Sequence, residues 1–216
     1  MQSIKKVEPA YLQAYEIIRE MIIGGKLAAG QKLTEEALAA ILNVSRTPIR
    51  DSLRRLEQDG LVVDKRVVKP TEKMLRDLYS MRMLLEGYSA SQAAERLPEE
   101  KITVLRECIE KAKTGSKDEA MKCNTTFHDT IMEASGNPYM QETYEKMRSI
   151  IFLFRHDVVF LNRPNLQEEH EEIYQAIVNK QSEAAERLMK EHLRHDLEFC
   201  LWCMKNRDEL NTDEKP

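Results

Sequence analysis

Apolar residues along the chain recur first at helical spacing, then in a short paired run, then at helical spacing again to the end. Leu12, Tyr15, Ile18 and Ile22 share one face of a segment opened by Pro9 and closed by Gly24-Gly25, which predicts a helix over about 9–23. Leu38, Ile41 and Leu42 predict a second, short helix with Thr34 as its N-cap. Ile49, Leu53 and Leu56, at i, i+4 and i+7, predict a third, ended by Asp59-Gly60, where glycine suits the left-handed position past a helix. Leu61-Val62-Val63 and Val67-Val68 then flank Asp64-Lys65-Arg66 and read as a β-hairpin.

Lys69-Pro70-Thr71 closes this first part: Pro70 disfavours helix at Lys69, and Thr71 can cap the next helix. Beyond it the pattern is helical almost without break, over about 71–97, 98–114, 117–135, 138–161, 164–179 and 182–209. Pro98-Glu99-Glu100, Gly115-Ser116, Gly136-Asn137-Pro138 and Asn162-Arg163-Pro164 mark the joints. The fold class is mainly α, with an N-terminal winged helix-turn-helix domain at 1–70 followed by an all-helical bundle at 71–216. The tail, Asn211 to Pro216, reads as polar and frayed.

Two helices joined by a tight turn at Asn43-Val44-Ser45 outline a helix-turn-helix, whose second helix enters the major groove of DNA. The buried stripe of that helix leaves Ser45, Arg46, Thr47, Arg50 and Arg54 on other faces, and the hairpin adds Lys65 and Arg66. These seven form the expected DNA-contact set. A two-helix corner with a solvated basic face is the alternative from spacing alone. Charge leans toward DNA: the first 70 residues carry a net +3 and the remaining 146 a net −7. Only local contacts are needed for phosphate binding, so an acidic chain is no obstacle.

At 216 residues with 42% hydrophobic residues, the chain holds one large domain or two modest ones. No signal-peptide run and no apolar stretch of membrane-spanning length is present, so the cytoplasm is the expected compartment and no membrane partner is expected. Cys108, Cys123, Cys200 and Cys203 read as reduced thiols, and Cys200-x-x-Cys203, without a second such pair, as buried thiols rather than a ligand pair.

Within the predicted bundle, Asn124 and His128 lie four apart on one helix face, while His170 and His192 lie on later helices where they can face inward. Three imidazoles and an amide oxygen on helices suit a divalent metal. Each histidine alone also reads as a half-buried side chain with one hydrogen bond.

The segments Gly25 to Leu33, Leu38-Ala39, Val44 to Leu53 and Arg55 to Val62 resemble the N-terminal domain of GntR-family bacterial transcription regulators. Val44-Ser45-Arg46-Thr47-Pro48-Ile49-Arg50, before Leu56-Glu57 and Gly60-Leu61-Val62, is close to that family's signature. Glu36 stands where many members carry an arginine, and the hairpin lacks the usual glycine at its tip. Arg82 to Glu86, Asn124 to His128, Ser135 to Pro138, and His170 through Ala185 to Leu193 resemble the FCD domain of the FadR-type branch, so the likeness spans nearly the whole chain. It implies a divalent metal, zinc or nickel first, held by Asn124, His128, His170 and His192, with Asn124 replacing the usual aspartate. It also implies an organic or sugar acid effector.

A metal with only neutral ligands keeps its full charge and favours an anionic effector oxygen. Arg82, Arg148 and Arg155 are candidate carboxylate clamps, since guanidinium binds carboxylates bidentately. An ion pair with a helix neighbour, Arg82 with Glu86 at i+4, is the other role each can take. His156 and His195 fall outside the matched motif and read as surface groups or as groups supporting the ligands. The expected function is a ligand-responsive DNA-binding regulator, a homodimeric repressor acting on an operator. The competing class is a metal-dependent hydrolytic enzyme on a helical bundle, but no general base accompanies the histidines, and adjacency turns Asp129 and Glu169 about 100° away from the ligands beside them. No enzymatic activity is therefore expected.

Overall fold

The computed structural model describes residues 9–206, apart from the side chains of residues 154–157. The expected frayed tail, the last residues of the predicted final helix, and the side chains of Arg155 and His156 lie outside the described residues. The chain divides into two compact units, one of Met1–Pro70 with Lys146–Ile150, the other of Thr71–Glu145 with Ile151–Pro216.

The first unit contains α1 (Ala10–Ile23), α2 (Glu35–Leu42), α3 (Arg46–Gln58) and the paired strands β1 (Val62–Val63) and β2 (Arg66–Val67). The Thr34 hydroxyl accepts from the Ala37 amide at 3.2 Å and starts α2, and Asn43, in the left-handed region at φ 52°, ends it. That residue turns the chain into α3. Ile18, Ile49 and Leu56 are fully buried, each stabilising this small core by about 1.5–3 kcal/mol. The Ser52 hydroxyl, donating to the Tyr11 carbonyl at 2.6 Å, ties α3 to α1. Ile41 departs from the expected apolar stripe. Leu38 and Ala39 are buried, which places the core face between them and leaves Ile41 59% exposed. In the wing, Val62 faces Val67 and Val63 faces Arg66. Asp64 and Lys65, both at positive φ, form the two-residue turn without glycine.

The second unit is all helical: α4 (Glu72–Arg96), α5 (Glu99–Thr114), α6 (Lys117–Glu133), α7 (Pro138–Phe160, except Lys146–Ile150, which count with the first unit), α8 (Leu166–Val178) and α9 (Ser182–Lys205). Thr71 caps α4 through the Met74 amide. Ser116 and Glu119 exchange bonds in a capping box that starts α6. Central to this unit, α4 packs on α6, α8 and α9. Small residues permit that crowding: a Cβ at Gly87 would lie 2.8 Å from the Lys190 side chain on α9. Leu75, Tyr79, Leu105, Phe127, Ile131, Ile173, Met189 and Leu193 are among its buried side chains. Among the described residues, no helix is long and apolar enough to cross a membrane.

Candidate functional site

On the first unit, the helical register of α3 puts Ile49, Leu53 and Leu56 inside and turns Arg46, Thr47, Arg50 and Arg54 outward, all exposed. Ser45 occupies the N-cap position without a side-chain capping bond and is exposed as well. Lys65, at the tip of the wing, and Arg66 are also exposed, and Arg66 donates to the Gly30 carbonyl at 3.1 Å. A groove of about 560 Å³ on this unit is lined by Lys32, Thr34, Arg46, Arg50, Arg54 and Lys65, along with Glu36 and Glu57. Glu36 takes the Arg46 guanidinium at 2.7 Å. The Glu36 carboxylate therefore occupies the first basic residue of α3.

The second unit brings His128 from α6, His170 from α8 and His192 from α9 together, all buried, each with a ring nitrogen within 4.8 Å of the others. Phe127 stacks on His170 at 4.3 Å and walls the group. Carboxylates hold the outer nitrogens of two of these rings. Glu86 of α4 lies 2.5 Å from Nδ1 of His128, and Glu169 of α8 lies 2.8 Å from Nδ1 of His192. An ionised carboxylate only accepts, so Nδ1 of His128 carries the proton and its Nε2 presents a lone pair, while Nδ1 of His192 lies between the Glu169 carboxylate and the Arg163 guanidinium, 3.1 Å away. The Nε2 atoms of the two rings face each other at 3.3 Å. Two buried imidazole nitrogens this close share either a proton or a cation. Two nitrogens on one tetrahedral zinc, at 2.0–2.1 Å each, stand roughly 3.3 Å apart. The donor set thus fits a divalent metal in spacing.

Asn124 lies beside His128 on α6, 2% exposed, and neither its amide oxygen nor its nitrogen has a hydrogen-bond partner. Arg82 of α4 is fully buried. Its Nε donates to Glu86 at 2.6 Å, whereas Nη1 and Nη2 make no hydrogen bond. Burial works to lower its pKa, but the Glu86 charge overrides this and holds the guanidinium charged. The expected i+4 ion pair of Arg82 with Glu86 is thus present, and the other two guanidinium nitrogens are left without a hydrogen bond. Arg148 is exposed on α7, outside the buried cluster.

Four charged residues at the site were missed by sequence reasoning as groups acting on the histidines. Glu86 was seen only as the i+4 partner of Arg82. Glu169 was set aside as turned from His170, yet it reaches His192 on the neighbouring helix. Arg163, from the joint between α7 and α8, grips Glu169 through both Nη atoms at 3.0 and 2.6 Å and lies 2.7 Å from Asp196. Burial pushes the Glu169 carboxyl up, but the bonds from His192 and Arg163 bring it down to about 2. His195, half exposed, also donates to Glu169, at 2.8 Å, as a support to the His192 side of the site. Cys200 and Cys203 are buried free thiols.

Comparison with known proteins matches two family models, bacterial regulatory proteins of the gntR family over residues 10–67 and the FCD domain over residues 77–195. The HTH-type transcriptional regulator YdhC of Bacillus subtilis is 29% identical over 90% of this chain and 92% of its own length. The gluconate operon transcriptional repressor of the same species is 27% identical, covering 82% of this chain and 74% of the relative. Among solved structures, McbR/YncC of E. coli superposes with a TM-score of 0.74 at 20% identity, covering 91% of this chain and 99% of that one. With an exposed basic helix and wing on one unit and a buried histidine cluster in the other, the chain belongs to the GntR family of FCD-containing bacterial transcription regulators, ligand-responsive DNA-binding proteins rather than enzymes.

Proposed function

We propose that the chain is a homodimeric repressor of the FadR-type branch whose helical unit binds one divalent metal and a small carboxylate effector. In this reading residues 1–70 bind DNA, and residues 71–216 bind effector and dimerise. His128, His170 and His192 hold the metal, with the Asn124 oxygen as a weak fourth donor. Bound there, the metal supplies a positive centre for an effector oxygen. Nη1 and Nη2 of Arg82 take the effector carboxylate.

One observation carries this reading: the Glu86 carboxylate joins the His128 imidazole to a buried guanidinium with two unbonded nitrogens. A buried cation left short of acceptors is costly, so a ligand that supplies them binds favourably. Gluconate, which gives one relative its name, is the first acid to test. Thermal shift of zinc-loaded protein across organic and sugar acids should find one that raises the melting temperature, because it binds only the folded state. No shift for any acid, or an equal shift with Arg82→Lys, would contradict the assignment.

Dimerisation follows from the DNA side, since one short recognition helix gives too little contact and such readers engage paired half-sites. On α4, Met81, Leu84 and Tyr88 are exposed at helical spacing, an apolar face suited to a second copy.

A further inference from the structure

We infer that Asp196 of α9 is the anionic partner of the metal in this chain; this rests on the metal reading above. Two observations converge on it. Asn124 is a neutral amide with both polar atoms unbonded, so position 124 supplies no charge to a metal held by the histidines. Asp196 is fully buried, one helical turn beyond His192, and neither of its oxygens makes a hydrogen bond. Its Oδ2 lies 3.7 Å from Nε2 of His192, the atom that faces His128. Arg163 Nε pairs with Oδ1 at 2.7 Å, which leaves Oδ2, the oxygen on the His192 side, without a hydrogen-bond partner.

Charge balance supports the same assignment. With the three imidazoles neutral, as metal ligation requires, the cations Arg82 and Arg163 and the carboxylates Glu86, Glu169 and Asp196 around them leave one negative charge in excess. A divalent metal turns that excess into one positive charge, which a singly charged acid then cancels. Without Asp196 the metal-loaded site would hold two uncompensated charges away from water, a costly state. With aspartate placed at position 124 beside Asp196, the loaded site would be neutral and would lose its pull on an anion.

The test is zinc titration by calorimetry of chelator-stripped, full-length protein, with melting temperatures of the stripped forms recorded alongside. Asp196→Asn should weaken zinc binding about 10–100-fold, the usual cost of removing a supporting group at a metal site. Asn124→Asp added to Asp196→Asn should recover most of that loss, and His128→Ala should abolish stoichiometric uptake. Wild-type zinc affinity in Asp196→Asn, with His128→Ala still deficient, overturns the role of Asp196 and leaves the metal site standing. Equal uptake by wild type and His128→Ala, or none by either, overturns both. Asp196→Glu keeps the charge and so preserves the Arg163 ion pair. In the cobalt(II)-loaded protein it should shift the visible absorption bands, and unchanged bands would mean that Asp196 only pairs with Arg163.

Discussion

Glu86 binds His128 from α4, its Oε2 2.5 Å from Nδ1 of the ring, while its other oxygen takes Arg82 at 2.6 Å. A single carboxylate thus sets the tautomer of one proposed metal ligand and neutralises the buried guanidinium proposed to take the effector. Glu86→Gln should weaken zinc binding by about 10–100-fold. It should also destabilise the fold by roughly 3–5 kcal/mol, because Arg82 is left as a buried charge without a counter-ion. Zinc calorimetry and urea unfolding of the same preparation check both, and a variant that binds zinc and unfolds like wild type would break the link.

Arg82→Lys keeps the charge beside Glu86 but removes the planar fork. Zinc uptake should be unchanged, while affinity for the acid found by thermal shift falls about tenfold or more, the worth of one lost charge-assisted hydrogen bond. Calorimetry with acid on zinc-loaded protein separates the two, and a parallel loss of zinc would assign Arg82 to the metal side alone.

On the DNA side, Arg50→Ala should reduce the ratio of specific to nonspecific affinity, since a bidentate arginine contact discriminates bases by about 1–3 kcal/mol. Lys65→Ala should weaken both alike and lower the salt slope by about one. Glu36→Ala releases Arg46 from its 2.7 Å ion pair and removes a carboxylate from the groove that holds the proposed DNA contacts. It should raise nonspecific affinity and steepen the salt dependence. Anisotropy titrations of labelled duplexes at several salt concentrations measure all three. Equal slopes for wild type and Glu36→Ala would mean that this carboxylate does not face the backbone.

Acid stability should depend on Glu169. Its folded carboxyl is lowered from 4.5 to about 2, so it stabilises the folded chain fully above its unfolded value. That contribution fades as pH falls from about 4.5 toward 2. Thermal melts of stripped protein should therefore decline across this window less steeply for Glu169→Gln than for wild type, and identical slopes would remove Glu169 from the acid response.

Leu84→Glu should convert the proposed dimer to a monomer, placing a charge in the middle of the exposed apolar face of α4. Light scattering at micromolar concentration reads this directly. A dimeric variant would move the interface elsewhere.

Much of the fold was legible because periodicity is a local property. Ile49, Leu53 and Leu56 share a face by spacing alone, and the helix joints at Pro98, Gly115-Ser116 and Pro138 carry their own breakers. Ile41 was misread because α2 spans only eight residues, too few turns to settle which edge of an apolar stripe faces inward. At the buried site, the histidines were legible from spacing and resemblance. Their carboxylates were not: Glu169 is turned from its neighbour His170 and meets His192 only through the packing of α8 on α9. Arg163 read as part of a proline joint. Asp196 had no signal beyond its i+4 relation to His192.

Whether the buried site governs DNA binding is tested most directly on one duplex, recovered by selection from random DNA. Its affinity for zinc-loaded wild type and for His170→Ala is measured by anisotropy, with and without the acid that stabilises the protein. Site coupling of the usual size, about 1–3 kcal/mol, predicts that acid weakens wild-type binding roughly 5- to 150-fold. His170→Ala should bind the duplex as tightly as acid-free wild type and should not respond to acid. An equal response in both proteins, or no response in wild type at saturating acid, would contradict the account.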